Sequence, residues 1–419
     1  MSLVSNEFAE YNGDEPSEES LEERRLTILY ATQTGTSQDL AESLYRHALR
    51  THFHTQCLSL DSYSPLSLPD ESYVVFLIST TGDGENPDSM KPFWKLLLNR
   101  DIPPDFLDGV AFAVFGLGDS KYDKFCFPAK KLQRRLTQLG ALEMMALTEA
   151  DEQHPHGTDG IFLEWEKRLW RYLEQVMPLP KGLSPIPDDK LLPPRFSVVL
   201  QNTKSQLEVK EVPPPESASC VVKQNKRITA PGHWQDVRHI ILEFPQGALS
   251  YQPGDIAEVC PQNPKEEVDV FLDTLHWTQI ADVPLTLTTN LTGIPLHLST
   301  SYSGQPVITG FDSPTLRTLA TSYLDICSVP RRSFFEMLKH FSSDETHVEK
   351  FAEFCTSEGQ EELWDYTTRP RRTIVEVLAD FWSSLQIPLE YVLDVFPAMK
   401  PRRFSIASSL KVRRTEGVG

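Results

Sequence analysis

No run of apolar residues in this 419-residue chain approaches the length of about eighteen that a membrane-crossing helix needs, which argues against a membrane-embedded protein. Basic charge is scarce as well. Forty Lys and Arg stand against 59 Asp and Glu, a formal charge of −19. Nucleic acid is a poor partner for such a surface, because phosphates are neutralised by clustered cations. The six cysteines (Cys57, Cys126, Cys220, Cys260, Cys327 and Cys355) show neither Cys-x-x-Cys nor Cys/His ligand spacing. That excludes a recognisable zinc site or disulfide framework and suits reduced thiols in the cytosol. Residues 1–23 hold no Lys or Arg, so they fit neither a secretory signal nor a mitochondrial presequence; they read as a disordered acidic tail. Two familiar phosphate loops are missing too, the Gly-Lys-[Ser/Thr] kind and the Gly-x-Gly-x-x-Gly kind.

What is present is ordinary globular material, 40% apolar and 24% charged, enough for two or three domains. The organising stretch is Leu26–Thr36. Leu26 to Ala31 reads as a short buried strand, and Thr32-Gln33-Thr34-Gly35-Thr36-Ser37 turns into an amphipathic helix carrying Leu40, Ala41, Leu44, Tyr45 and Ala48 on one stripe. A helix N-terminus with free N–H groups, beside hydroxyls from Thr32, Thr34, Thr36 and Ser37, makes an anion site. With no lysine in the loop, a monophosphate held by neutral donors fits best.

The strand–helix alternation continues. Thr55–Leu60 reads as a strand, and Tyr73–Ser79 as another running into Thr80-Thr81-Gly82-Asp83-Gly84-Glu85. Then follow a helix with Phe93, Trp94 and Leu97 inward, and a strand at 110–115 running into Gly116-Leu117-Gly118-Asp119-Ser120-Lys121-Tyr122. A helix through Ala129, Leu132, Leu136 and Leu139 comes next, then a strand Glu143–Leu147 before the acidic loop 148–153, and a helix with Trp165, Leu169 and Trp170. This order predicts a parallel sheet covered on both faces, with the loops after the first, third and fourth strands converging at its carboxyl edge.

Prolines crowd residues 177–217, which reads as a stiff linker with a strand at Arg195–Leu200. Beyond it, Lys226–Thr229 and Val237–Phe244 read as paired strands, and Tyr251-Gln-Pro-Gly-Asp255 as a turn into Ile256–Val259. Helices are expected around Val268–Leu275, Leu316–Tyr323, Phe334–Leu338, His347–Phe354 and Thr373–Leu378. Near the end stands Pro401-Arg402-Arg403-Phe404-Ser405. There an arginine can fork onto a pyrophosphate, an aromatic ring can stack on a flavin and a hydroxyl can hydrogen-bond it.

The trio Ala31–Thr36, Ser79–Glu85 and Phe115–Tyr122 resembles the FMN-binding, flavodoxin-like domain of diflavin reductases. Arg402-Arg403-Phe404-Ser405 resembles the Arg-x-Tyr-Ser motif of the ferredoxin-reductase-like FAD domain. With Pro231–Arg238 and Tyr323–Phe335, the chain looks like the NADPH-dependent diflavin oxidoreductases that serve cytosolic iron–sulfur cluster assembly. The resemblance implies an α/β flavodoxin-like domain with a five-stranded parallel sheet at 24–176. It implies a linker at 177–217, an FAD-binding β-barrel with a helical insertion at 218–410, and a tail at 411–419.

It also implies that Thr32, Gln33, Thr34, Gly35 and Thr36 hold the FMN phosphate. Thr80, Thr81, Gly82, Asp83, Gly84, Leu117, Gly118, Tyr122 and Phe125 would flank the flavin ring, Tyr122 stacking on it. Asp151, with Glu149 and Glu152, would form an acidic rim, and Arg402, Phe404 and Ser405 would bind FAD. Thr81 stands where P450 reductases carry an aromatic, so the second ring face is less covered here.

The implied partner is an anamorsin-like iron–sulfur protein, the implied location cytoplasmic, and the implied electron route NADPH to FAD to FMN. The family continues with further barrel strands and an NADPH domain. The polar stretch 410–419 lacks them, so the barrel is expected to be incomplete, FAD binding weakened, and this chain alone inactive with NADPH. A P450-reductase-like or sulfite-reductase-like enzyme, or a form that docks a partner without turnover, are the competing readings.

Overall fold

The computed structural model describes residues 24–201, 220–245, 251–252, 254–289 and 314–408. The acidic tail, the second half of the linker with Pro213–Pro215, and the stretch 411–419 lie outside them. The chain divides into two compact units: one holds residues up to Arg195 with Cys327–Val395, the other Phe196–Ile326 (save Tyr302–Gly304) with Phe396 onward.

The first unit begins as the sequence dictates. Its elements are β1 (Arg25–Ala31), α1 (Thr36–Arg50), β2 (His54–Ser59), β3 (Tyr73–Ser79), α2 (Lys91–Leu97), β4 (Ala111–Gly118), α3 (Phe127–Gln138), β5 (Leu142–Glu143), β6 (Thr148–Asp151) and α4 (Gly157–Val176). The sheet runs β2-β1-β3-β4, all parallel, and β5 and β6 share the fifth position against β4. Strands β1, β3 and β4 are near-continuous apolar runs because helices cover both faces. Phe93, Leu97, Ala129, Leu132 and Leu136 fill one side, and Phe162, Trp165 and Leu169 press on the other, where Trp165 lies 4.9 Å from the Phe115 ring. Trp94 is only half-buried at the core margin.

The fifth strand differs from expectation. Pairing lapses over residues 144–147 and resumes at Thr148–Asp151, opposite Phe115–Gly118. Asp151 therefore ends a strand instead of lying in a loop, because the backbone of β4 offers its last hydrogen-bonding groups to Thr148–Asp151.

In the second unit, β7 (Phe196–Leu200) pairs with β11 (Leu285–Thr289), β8 (Val221–Arg227) with β9 (Arg238–Glu243), and β10 (Ile256–Val259) with β12 (Arg402–Ser405), all antiparallel. These are three two-stranded sheets among the described residues. The expected strand at 195–200 thus belongs to this unit. Helices α5 (Lys265–Thr274) and α6 (Leu316–Ser322) pack beside them, with Val268, Phe271 and Leu272 buried and Phe271 against Trp277 and Phe396. Asn263 caps the carboxyl end of α6 by donating to the carbonyls of Ala320 and Leu324, each at 2.7 Å.

Helices α7 (Arg332–Leu338), α8 (Glu345–Phe354), α9 (Gln360–Leu363), α10 (Ile374–Phe381) and α11 (Val392–Val395) belong to the first unit. The sequence placed this stretch inside 218–410; within it Arg332, Ser333 and Glu336 reach Ser43, Asp39 and Arg46 of α1. An aromatic cluster of Phe335, Phe351, Phe354 and Phe381 holds the helices together. A capping box of Thr373 and Glu376 starts α10.

Candidate functional site

The parallel sheet brings the carboxyl ends of β1, β3, β4 and β6 to one edge, and polar bonds stitch their loops together there. The N–H of Thr80 donates to the Leu117 carbonyl at 2.9 Å, and that of Ser120 to the Asp151 carboxylate at 2.9 Å. Ser37 and Ser79 share a hydrogen bond between hydroxyls. Ser37, which the sequence offered as a ligand donor, is fully buried, and its hydroxyl serves the loop-to-loop tie instead.

The first loop is shaped by Gly35, which caps α1 in the left-handed region at φ 99° and donates its N–H to the Thr32 hydroxyl at 2.9 Å. That bond uses the Thr32 oxygen as acceptor and leaves its proton to donate. Thr32, Gln33 and Thr36 are half-buried and Thr34 is exposed, so the loop presents N–H and O–H groups without any cation of its own.

In the second loop Thr81 and Glu85 exchange backbone hydrogen bonds, closing a tight turn over Gly82 and Gly84, both at positive φ. A Cβ on Gly84 would fall 2.2 Å from that of Lys124, so only glycine lets these two loops meet. Asp83 reaches across to Lys124 at 2.8 Å. Thr80 Oγ1 and Asn86 Oδ1 are buried and lack a partner among the described residues. Orphaned polar atoms at the converging loops are what a bound polar ring edge would satisfy.

In the third loop Leu117 and Gly118 are buried, Phe125 is half-buried and Tyr122 stands 56% exposed. An exposed tyrosine between flanking loops leaves one ring face free to stack. Gly118 sits where a Cβ would come within 3.0 Å of the Cys126 nitrogen and of the Phe125 ring.

The acidic rim is more structural than its charge suggests. Asp151 Oδ1 accepts from the N–H groups of both Ser120 and Gln153, and these bonds outweigh desolvation and hold its carboxyl below the usual range. Desolvation and the neighbouring Asp119 and Asp151 raise that of Glu152. Glu149 is paired with Lys130 at 2.7 Å.

One residue that sequence reasoning left without a role enters from the far helices. Arg331, just ahead of α7, lays its guanidinium within 3.3 Å of where a Gly35 Cβ would sit, and donates to the Thr34 carbonyl at 3.1 Å. Beside it, Ser333 donates to Asp39. The buried Arg332 reaches Ser43 at 3.3 Å, Glu336 at 3.1 Å and Asp159 at 3.7 Å. Burial raises the Asp39 carboxyl, and Arg331 and Ser333 oppose that rise.

In the second unit β12 places Arg402 and Phe404 on one face and Arg403 and Ser405 on the other, by strand alternation. Phe404 is 57% exposed, and Arg402 is exposed with Asp325 3.7 Å away. Arg403 is bound to Glu258. An exposed ring beside an exposed guanidinium fits a flavin with a pyrophosphate, whereas Ser405, on the opposite face, does not share that surface.

Among the described residues no helix is long and apolar enough to cross a membrane. Comparison with known proteins finds two families along the chain. The flavodoxin family matches residues 28–165 and the FAD binding domain family residues 215–416. The chain is 38% identical to an NADPH-dependent diflavin oxidoreductase 1 of Aspergillus fumigatus, over 94% of this chain and 65% of that protein. It is 39% identical to that of Emericella nidulans, over 94% and 63%, and 40% to that of Xenopus laevis, over 93% and 66%. The chain thus spans 63 to 66% of the length of these relatives.

Proposed function

From the premise that this chain belongs to the NADPH-dependent diflavin oxidoreductase family, we propose that it carries electrons from an FAD site to an FMN site and on to a protein acceptor. The observation that carries the FMN half is the convergence of three loops on one sheet edge, with a lysine-free phosphate loop and the unpartnered Thr80 hydroxyl among them.

When bound, the flavins supply the redox chemistry, and the protein contributes position and electrostatics. The N–H groups and hydroxyls of Thr32, Thr34 and Thr36 would hold the phosphate. Thr80 and Asn86 would bond polar edges of the ring, and Tyr122 would cover one face. Because Thr81 is small and half-buried, the opposite face has no comparable cover from this position. Arg402 and Phe404 would hold FAD. No acid–base or nucleophilic constellation is required for such a path.

The acceptor in this reading is an anamorsin-like iron–sulfur protein, and the setting is cytosolic iron–sulfur cluster assembly. The acidic residues Asp119, Asp151 and Glu152 near the loops favour a partner with a basic face. NADPH as the ultimate donor is part of the same proposal.

The test is to purify the protein, release its flavins with acid and separate FMN from FAD by chromatography. FMN in near-stoichiometric amount is expected, together with FAD from the second unit. A folded protein without flavin overturns the reading. Chemically reduced protein should then reduce an iron–sulfur acceptor faster than buffer does; no acceleration would remove the acceptor proposal while leaving the flavin sites in place.

A further inference from the structure

A phosphate monoester carries close to two negative charges at neutral pH, and residues 32–37 offer it only neutral donors. In its first turn α1 carries Asp39, whose charge opposes an anion at that helix end. The structure supplies a cation from elsewhere. Arg331 lies 297 residues from Thr34 in sequence, yet one guanidinium nitrogen donates to the Thr34 carbonyl and the group lies over the bare face of Gly35. A guanidinium has five N–H donors in a fixed fork, and the bond to Thr34 uses one.

We propose that Arg331 completes the phosphate loop: its guanidinium provides the positive charge that residues 32–37 lack and aims it at the phosphate monoester of the flavin nucleotide. This rests on the FMN reading above and adds a ligand from outside the flavodoxin-like fold. The same contact gives the helical segment Cys327–Val395 a stake in flavin binding. Arg332 and Ser333 anchor that segment on α1 through Ser43 and Asp39, which fixes where Arg331 can point. Bidentate arginine is well matched to phosphate, and a lysine in its place would act only as a point charge.

The competing role for Arg331 is to neutralise Asp39 and clamp the loop irrespective of phosphate, and comparison of two ligands separates these. Apoprotein of the wild type, Arg331→Ala and Arg331→Lys would be titrated with FMN and with riboflavin, which has the same ring and no phosphate, by following flavin fluorescence. Circular dichroism would check that each variant is folded. Arg331→Ala should weaken FMN by on the order of tenfold or more, the size expected for losing a charge-assisted bond, and leave riboflavin unchanged. Arg331→Lys should recover part of the loss.

Unchanged FMN affinity in Arg331→Ala overturns the inference and leaves the FMN reading standing. An equal loss for FMN and riboflavin also overturns it, showing a clamp indifferent to phosphate. A wild-type chain that binds neither flavin overturns the FMN reading and this inference with it.

Discussion

Gly35 does more for the first loop than any hydroxyl beside it. At φ 99° it holds a conformation that costs an L-residue roughly 1–2 kcal/mol, and its open face is where the Arg331 guanidinium rests. Gly35→Ala is therefore expected to lower stability by about that much and to weaken FMN binding; thermal unfolding and flavin titration of the variant measure the two effects. The glycine and its threonines were legible because loop, helix stripe and strand sit side by side in sequence. Ser37 was not, since nothing local distinguishes a hydroxyl facing a ligand from one turned inward to Ser79. Asp151 was placed at the correct edge, but its double acceptance of backbone N–H groups depends on β6, which the sequence showed one segment too early. Arg331 was out of reach altogether, because nothing local in Arg331-Arg332-Ser333 ties it to Thr34, 297 residues away in sequence.

Among the elements, α1 shows how much a helix can be asked to hold. Its apolar stripe faces the sheet as the spacing of Leu40, Leu44 and Ala48 required. Its other face carries Asp39, Glu42, Ser43 and Arg46, all engaged by residues from Arg195 and the helices beyond 331. Glu336 is the centre of that polar seam. Desolvation alone would raise its carboxyl, but Arg332 and Arg46 override this and push it down to about 2. A depressed carboxylate stabilises the fold fully above the ordinary value of 4.5 and loses its contribution as pH falls from there towards about 2. The melting temperatures of wild type and Glu336→Gln should accordingly stay a constant distance apart from neutral pH down to about pH 5, then converge as acid is added; a gap that ignores pH would refute the assignment. The helices at 316–322, 332–338, 345–354 and 374–381 were all legible from their apolar spacing, whereas their docking on α1 was not, because polar side chains at a helix face look solvated until a partner appears.

For the molecule as a whole, sequence distance and spatial distance part company. The parallel sheet is assembled from neighbours, but its first helix is finished by residues nearly three hundred positions downstream. Arg332 is the buried link. Removing it leaves Glu336 and Asp159 short of a counter-charge, so Arg332→Ala should cost about 3–5 kcal/mol in chemical denaturation. Arg332→Ala with Glu336→Gln should cost less than the two single changes added, since they share one network. Division into a flavodoxin-like and an FAD-binding part was legible from the linker and motifs; the return of Cys327–Val395 to the first part was not.

That return has a consequence in time. A chain leaves the ribosome from its N-terminus at ~5–20 residues per second, so α4 would emerge roughly 8–30 s before Arg331 does. In that interval the sheet and its three loops can already be in place with α1 still bare on its polar side. A newborn first unit would thus pass through a stage in which its anion site is open to solvent and to whatever phosphorylated small molecule reaches it, and the late arrival of one arginine would close that window.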